Sequence, residues 1–174
     1  LTEMSVELAQ ERGACKRSEY TYYGKGIFPW ERRSAGVNEL TDFAPSLDWE
    51  PLREKMKQHG IRNGTLMAVA PVEMPMELIS VKESKAGSFV QVVPDYKRLK
   101  NRYQLMWDQP DCVGYLKTAA VLAAYIDQSL STNTFYNPAH FKDAKVPGTL
   151  IAKNLMLAYK WGLKTIYYSL INKV

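Results

Sequence analysis

The apolar residues of this chain recur in two rhythms, and the switches between them mark out its elements. Residues 2–12 read as a helix with Met4, Leu8 and Val6 turned inward, stopped by Gly13 where a helix end favours glycine. Residues 16–45 are rich in Tyr, Gly and Arg and show no clean period, which predicts a loop with short pieces. Asp48 is placed to cap a helix over 49–59, with Pro51 tolerable in its first turn and Gly60 at its end. An apolar run over 65–70, ended by Pro71, predicts a strand buried on both faces.

Further on, 78–82 and 89–93 alternate as two strands of a hairpin, with Gly87 at the turn. Asp95 can cap a helix on which Tyr96, Leu99, Tyr103 and Met106 recur at helical spacing. A second such stripe, Tyr115, Thr118, Leu122, Tyr125 and Ser129, predicts a helix over 114–131. A short strand over 132–136 follows, then a long helix from Pro147 or Thr149 to Trp161, closed by Gly162. A final buried strand is expected over 165–170. Helices alternating with strands through short links argue for an α/β protein with parallel pairing and right-handed crossovers. The strands are too few to close a barrel. Nothing marks an internal boundary, so 1–174 reads as one unit.

Composition narrows the class. A chain of 174 residues with 46% hydrophobic content can bury a core of its own. No apolar run approaches a membrane span, and 2–12 is too polar for a signal peptide. Two cysteines, Cys15 and Cys112, make neither a disulfide framework nor a metal-ligand spacing, which suits a reducing cytoplasm. The net charge of +5 is unevenly placed: after Asn133 six lysines face a single acid, Asp143. Without interleaved aromatics this reads as a solvated helix face rather than a nucleic-acid surface, with a basic rim toward an acidic partner as the third option. The first residue is Leu1, so the chain is expected to begin inside something larger or to have been trimmed.

One spacing is specific enough to carry a family. Trp49-x-x-Leu52 is followed after seven residues by Gly60, Ile61, Arg62 and Asn63, and after three more by Met67-Ala68-x-x-Pro71. This pattern resembles the signature of the ribonucleotide reductase large subunit. Residues 91–96, 125–133 and 158–168 are similar to the C-terminal part of the aerobic, class Ia type, so the likeness runs from about Leu8 to Tyr168. Tyr23, Gly24, Lys25 and Gly26 resemble versions carried by large bacteriophages. The resemblance implies the second half of a ten-stranded α/β barrel, parallel strands with helical crossovers plus a β-hairpin, whose first half is not in this chain.

It also implies roles. On the residues alone, Tyr167 and Tyr168 are good strand formers and nothing more. Both match the tyrosine pair through which the family passes an oxidising equivalent from its small subunit to an active-site cysteine. A stacked pair conflicts with a regular strand, whose neighbours face opposite sides, so a strand end, bulge or distortion is expected there. Pro71 and Glu73, at the end of the 65–70 run, fall where the family binds substrate. Glu73 is followed at once by Met74, Pro75 and Met76, without the family's serine/threonine run for the diphosphate, and that run is expected in the intact protein because deletion would remove the cradle. Glu73 otherwise reads as a plain loop carboxylate.

The thiyl cysteine, its proton-transfer asparagine and glutamate, and the reducing cysteines belong by resemblance to the preceding half of the barrel. Cys15 and Cys112 read as structural thiols. His59 reads as a helix-end cation; His140 has no paired nucleophile. Gln128, Ser129, Thr132 and Asn133 read as a helix-end hydrogen-bond network. The implied activity is reduction of ribonucleoside diphosphates by a radical mechanism, with no cofactor or metal in this chain and a metal–radical cofactor in the small subunit. Implied partners are the N-terminal part of the large subunit, the small subunit, the ribonucleoside diphosphate and a thioredoxin- or glutaredoxin-type reductant. Direct nucleic-acid or membrane binding is not expected, and the location is the cytoplasm, a host's if the source is a phage. The alternative is a non-catalytic α/β interaction module that keeps the reductase fold.

Overall fold

A computed structural model describes residues 1–70 and 75–173. Its elements run α1 (Thr2–Arg12), α2 (Glu50–His59), β1 (Ile79–Ser84), β2 (Gly87–Val92), α3 (Tyr96–Leu99), α4 (Val113–Ala123), β3 (Thr132–Tyr136), α5 (Gly148–Lys160) and β4 (Ile166–Ile171), with 3-10 turns between. The expected loop at 16–45 is built from three of those turns. α2 starts one residue later than expected, so Trp49 takes the N-cap position and Asp48, just before it, accepts the Glu50 N–H on its Oδ1 at 3.0 Å.

Two apolar clusters organise the molecule. The smaller gathers Val6, Tyr23, Phe28, Met56 and Ile61 between α1 and α2. The face of α1 differs from the expected one: Met4 is exposed, while Ser5, Val6 and Ala9 are buried. Ser5 tolerates burial because its hydroxyl is shared with Asn63, donating to Oδ1 at 3.0 Å and accepting the Asn63 N–H at 2.9 Å. Small residues bring the helix close, and the larger Met4 stays in solvent.

The larger cluster packs α4, α5, β3 and the loops around them, including Val37, Leu116, Phe135 and Trp161. Here too the buried stripe of the helix, Leu116, Ala119 and Ala120, is displaced from the expected one, and Leu122 is exposed. The helix stops at Ala123 instead of continuing to Ser131. The reason lies in the backbone: Gln128 and Ser131 direct their N–H groups to the carbonyls of Met67 and Val69. Amides drawn to a neighbouring segment cannot also close helical turns.

That neighbour is the apolar run at 65–70. It does not form the expected buried strand, being joined, among the described residues, by one isolated parallel bridge, Val69 to Leu130. Asp127 clamps its start, accepting the N–H groups of Leu66 at 2.6 Å and Met67 at 2.7 Å. Leu66 and Val69 are half-buried while Met67 and Ala68 face solvent, because the run has a neighbour on one side only among the described residues. β3 pairs in parallel with β4, so three parallel segments lie in the order 65–70, 130–136, 166–171. This is an arc of α/β architecture, not a closed barrel.

β1 and β2 form the expected antiparallel hairpin, with Ile79 opposite Val92 and Val81 opposite Val90. The helix expected after Asp95 shrinks to the single turn α3. Asp95 adopts a left-handed conformation (φ 53°) and binds the Arg98 side chain instead of capping, and Met106 hands its N–H to the Pro75 carbonyl at 2.9 Å. β4 is also more open than expected, with Tyr167, Tyr168 and Ser169 exposed, since among the described residues β3 alone pairs with it.

Candidate functional site

The site is assembled at the end of the chain by the α5–β4 connection. α5 ends where Gly162 takes a left-handed conformation (φ 84°), and Leu163 N–H bonds the Ala158 carbonyl at 3.0 Å. Glu39 holds the helix end from outside, accepting Trp161 Nε1–H at 2.5 Å and Lys160 Nζ at 2.6 Å. Those two bonds hold the Glu39 carboxyl below its usual range. The chain then enters β4 as Ile166, Tyr167, Tyr168, Ser169, Leu170 and Ile171, beside a β3 strand that is buried throughout.

Pairing between the strands is not uniform. Thr132 faces Ile166, but Thr134 faces Ser169, so Tyr167 and Tyr168 together stand opposite the single residue Asn133. Two residues against one is a β-bulge. It removes the alternation that would point the two side chains to opposite faces. The rings lie 4.2 Å apart between centroids at 53°, and Tyr168 Oη donates to Tyr167 Oη at 3.4 Å. The distortion that the resemblance calls for is therefore present at the pair itself.

Side chains on β3 take up what the bulge disrupts. Asn133 Oδ1 accepts the Tyr168 N–H at 3.1 Å, and the Thr134 and Ser169 hydroxyls meet at 2.8 Å where the ladder resumes. Beyond it, Asn172 N–H bonds the Tyr136 carbonyl at 3.0 Å. Both phenols remain open, at 57% exposure for Tyr167 and 54% for Tyr168. The hydrogen bond to Tyr167 and the neighbouring phenol's charge push the Tyr168 pKa upward.

Behind β3 the polar groups are sealed. Asn154 Nδ2 donates to Cys112 Sγ and to Tyr136 Oη, each at 3.3 Å. Burial pushes both the Cys112 thiol and the Tyr136 phenol up, which keeps Cys112 protonated and unreactive. His140 Nε2 lies 2.8 Å from the Trp107 carbonyl, and His59 sits in the last turn of α2. Among the described residues no group of three or more His, Cys, Asp and Glu could hold a metal ion, and no helix is long and apolar enough to cross a membrane.

Of the four residues singled out from the sequence, the structure brings Tyr167 and Tyr168 together. Pro71 and Glu73 lie outside the described residues. Asn133, which the sequence pattern puts in a helix-end network, serves the tyrosine strand. A buried amide in a run of β-branched and aromatic residues was the signal for it. A cavity of about 610 Å³ lies elsewhere, lined by Tyr23, Trp30, Trp49, Leu66 and Tyr125 among others.

Comparison with known proteins decides the family. The model described as "Ribonucleotide reductase, barrel domain" matches residues 1–75 and 76–169. The chain belongs to the ribonucleotide reductase barrel family. It is 44% identical to the ribonucleoside-diphosphate reductase subunit alpha of Buchnera aphidicola subsp. Baizongia pistaciae and 41% identical to the ribonucleoside-diphosphate reductase 1 subunit alpha of Escherichia coli K12. The subunit alpha of Enterobacteria phage T4 is 31% identical. Each alignment covers 97% of this chain and 24% of the relative, so the chain spans about a quarter of their length. A phage relative thus stands among the matches beside bacterial ones. The two family segments abut between residues 75 and 76, two residues after Glu73, where the reductase serine/threonine run was expected.

Proposed function

We propose that this chain is the C-terminal part of the catalytic subunit of a ribonucleoside-diphosphate reductase, and that Tyr167 and Tyr168 relay its oxidising equivalent. The observation that carries the reading is the β4 bulge: it costs regular ladder bonds, and what it achieves is two adjacent phenols on one face with facing hydroxyls. A protonated phenol that gives up an electron becomes strongly acidic, so electron and proton leave together. In a relay, an electron and proton pass from Tyr167 to an oxidised Tyr168, or the reverse, leaving one phenol restored and its neighbour oxidised. The 3.4 Å gap is longer than an ordinary O–H···O bond of about 2.7–2.8 Å, as is common for catalytic hydrogen bonds before the full complex forms.

In the overall reaction a ribonucleoside diphosphate loses its 2′-hydroxyl as water and gains hydrogen, while a dithiol reductant becomes a disulfide. The oxidising equivalent is supplied by the metal–radical cofactor of a small subunit, which this chain meets as a partner. The remainder of the large subunit supplies the thiyl cysteine, and Pro71 and Glu73 are proposed to border the substrate. A second reading, a non-catalytic module that keeps the fold, is favoured by the lack of the serine/threonine run after Glu73. Reconstitution separates the two. The chain combined with the rest of the large subunit and the small subunit should form deoxyribonucleoside diphosphate, and a complete, assembled complex that forms none supports the module.

A further inference from the structure

A bulge leaves an amide without its ladder acceptor, and an amide without any acceptor is costly. On β4 that amide is Tyr168 N–H, and the group that takes it is the Asn133 side chain on the facing strand. Asn133 is almost wholly buried, as are its neighbours Thr132, Thr134, Phe135 and Tyr136. Asparagine is a poor strand former, and its amide is costly to bury. Valine or isoleucine would suit the strand better but would offer Tyr168 no acceptor. The placement therefore favours one register over another. With Asn133 Oδ1 on the Tyr168 amide, Ser169 reaches Thr134 and two residues are held opposite one. Without it, β4 gains by relaxing into regular pairing, and a regular strand turns Tyr167 and Tyr168 to opposite faces.

We propose that Asn133 is the positioning residue of the tyrosine pair, its side-chain oxygen holding the bulge that sets the two phenols on one face. Asn133 meets neither phenol oxygen in this role; it acts through the backbone. The inference rests on the relay reading.

The test uses the complete reductase assembled with this chain. Asn133→Leu keeps the branched outline of the side chain and removes the acceptor, whereas Asn133→Asp keeps an oxygen in place. The Leu variant should lose at least tenfold in kcat with KM for the ribonucleoside diphosphate unchanged, and the Tyr168 amide should exchange faster with deuterium. The Asp variant should return to within about threefold of wild type. If Asn133→Leu does not fold, Asn133→Ser, whose oxygen falls short of the amide, carries the same expectation. A folded Leu or Ser variant with wild-type kcat, or a loss that Asp does not restore, overturns the proposal. Tyr167→Phe and Tyr168→Phe run alongside: active Phe variants refute the relay itself, while inactive Phe variants with an active Asn133→Leu refute only the role of Asn133.

Discussion

Tyr167 and Tyr168 are consecutive in the chain, yet their hydroxyls face each other at 3.4 Å. Ordinary strand geometry sends such neighbours to opposite sides of a sheet. The pair exists because β4 carries one residue more than β3 between Thr132 and Thr134. Fold and proposed chemistry meet in that single extra residue.

The approach to β4 is rigid, and Gly36 is the place to probe it. A Cβ on Gly36 would lie 2.2 Å from the Lys160 carbonyl oxygen, a backbone atom with little freedom to move. Gly36→Ala should destabilise by about 1–3 kcal/mol through overpacking. Gly114→Ala meets nothing within 4 Å and lies in α4, so it should be neutral or slightly stabilising. Paired thermal melts check the contrast.

Alkaline stability should report on Tyr23. Burial, with the Asp127 charge behind it, pushes its phenol from 10.0 to about 12. The folded state therefore keeps a proton that the unfolded chain releases above about pH 10. Stability from this group is whole below pH 10 and falls progressively from 10 to 12, by about 2–3 kcal/mol in all. Urea unfolding at pH 8 and at pH 11 should show the loss, and Tyr23→Phe should lessen it. An equal loss in the Phe variant would assign the alkaline transition elsewhere.

Much of this arrangement was legible in the sequence. α1, α2, the hairpin, β3, α5 and β4 fall within a few residues of their expected bounds, because caps, glycine stops and alternation are local signals. The family resemblance, by requiring two neighbours to stack, called for a strand end, a bulge or a distortion at Tyr167 and Tyr168, and the structure has the bulge. What was not legible depends on partners distant in sequence. Asp127 and the carbonyls of Met67 and Val69 end α4 early and turn the 65–70 run into a bridged segment, and no periodicity within 114–131 shows this. The buried stripes of α1 and α4 were misjudged because Ser5, Ala9, Ala119 and Ala120 make close contacts by being small, while Met4 and Leu122 are apolar but outward.

The open surfaces carry a prediction about assembly. Ile79, Val81, Val90 and Val92 share one exposed face of the hairpin, and Met156 and Tyr159 stand out from α5. Exposed apolar faces and open strand edges favour association. The chain alone should aggregate or run as large species, and the remainder of the large subunit should stabilise it. Light scattering on a size-exclusion column checks this, and a monodisperse, cooperatively melting monomer would contradict it.

The relay is tested most directly by deoxyribonucleotide formation in Tyr167→Phe and Tyr168→Phe, each assembled into the complete reductase and melted in parallel. Each change deletes one exposed hydroxyl and almost no volume, so stability should shift by no more than about 1 kcal/mol. Phenylalanine has no phenolic proton to release and is far harder to oxidise. Turnover should therefore fall at least a hundredfold in both variants while folding, assembly and nucleotide binding persist. Near-normal turnover in both would contradict the account and leave Tyr167 and Tyr168 as aromatics on a bulged strand.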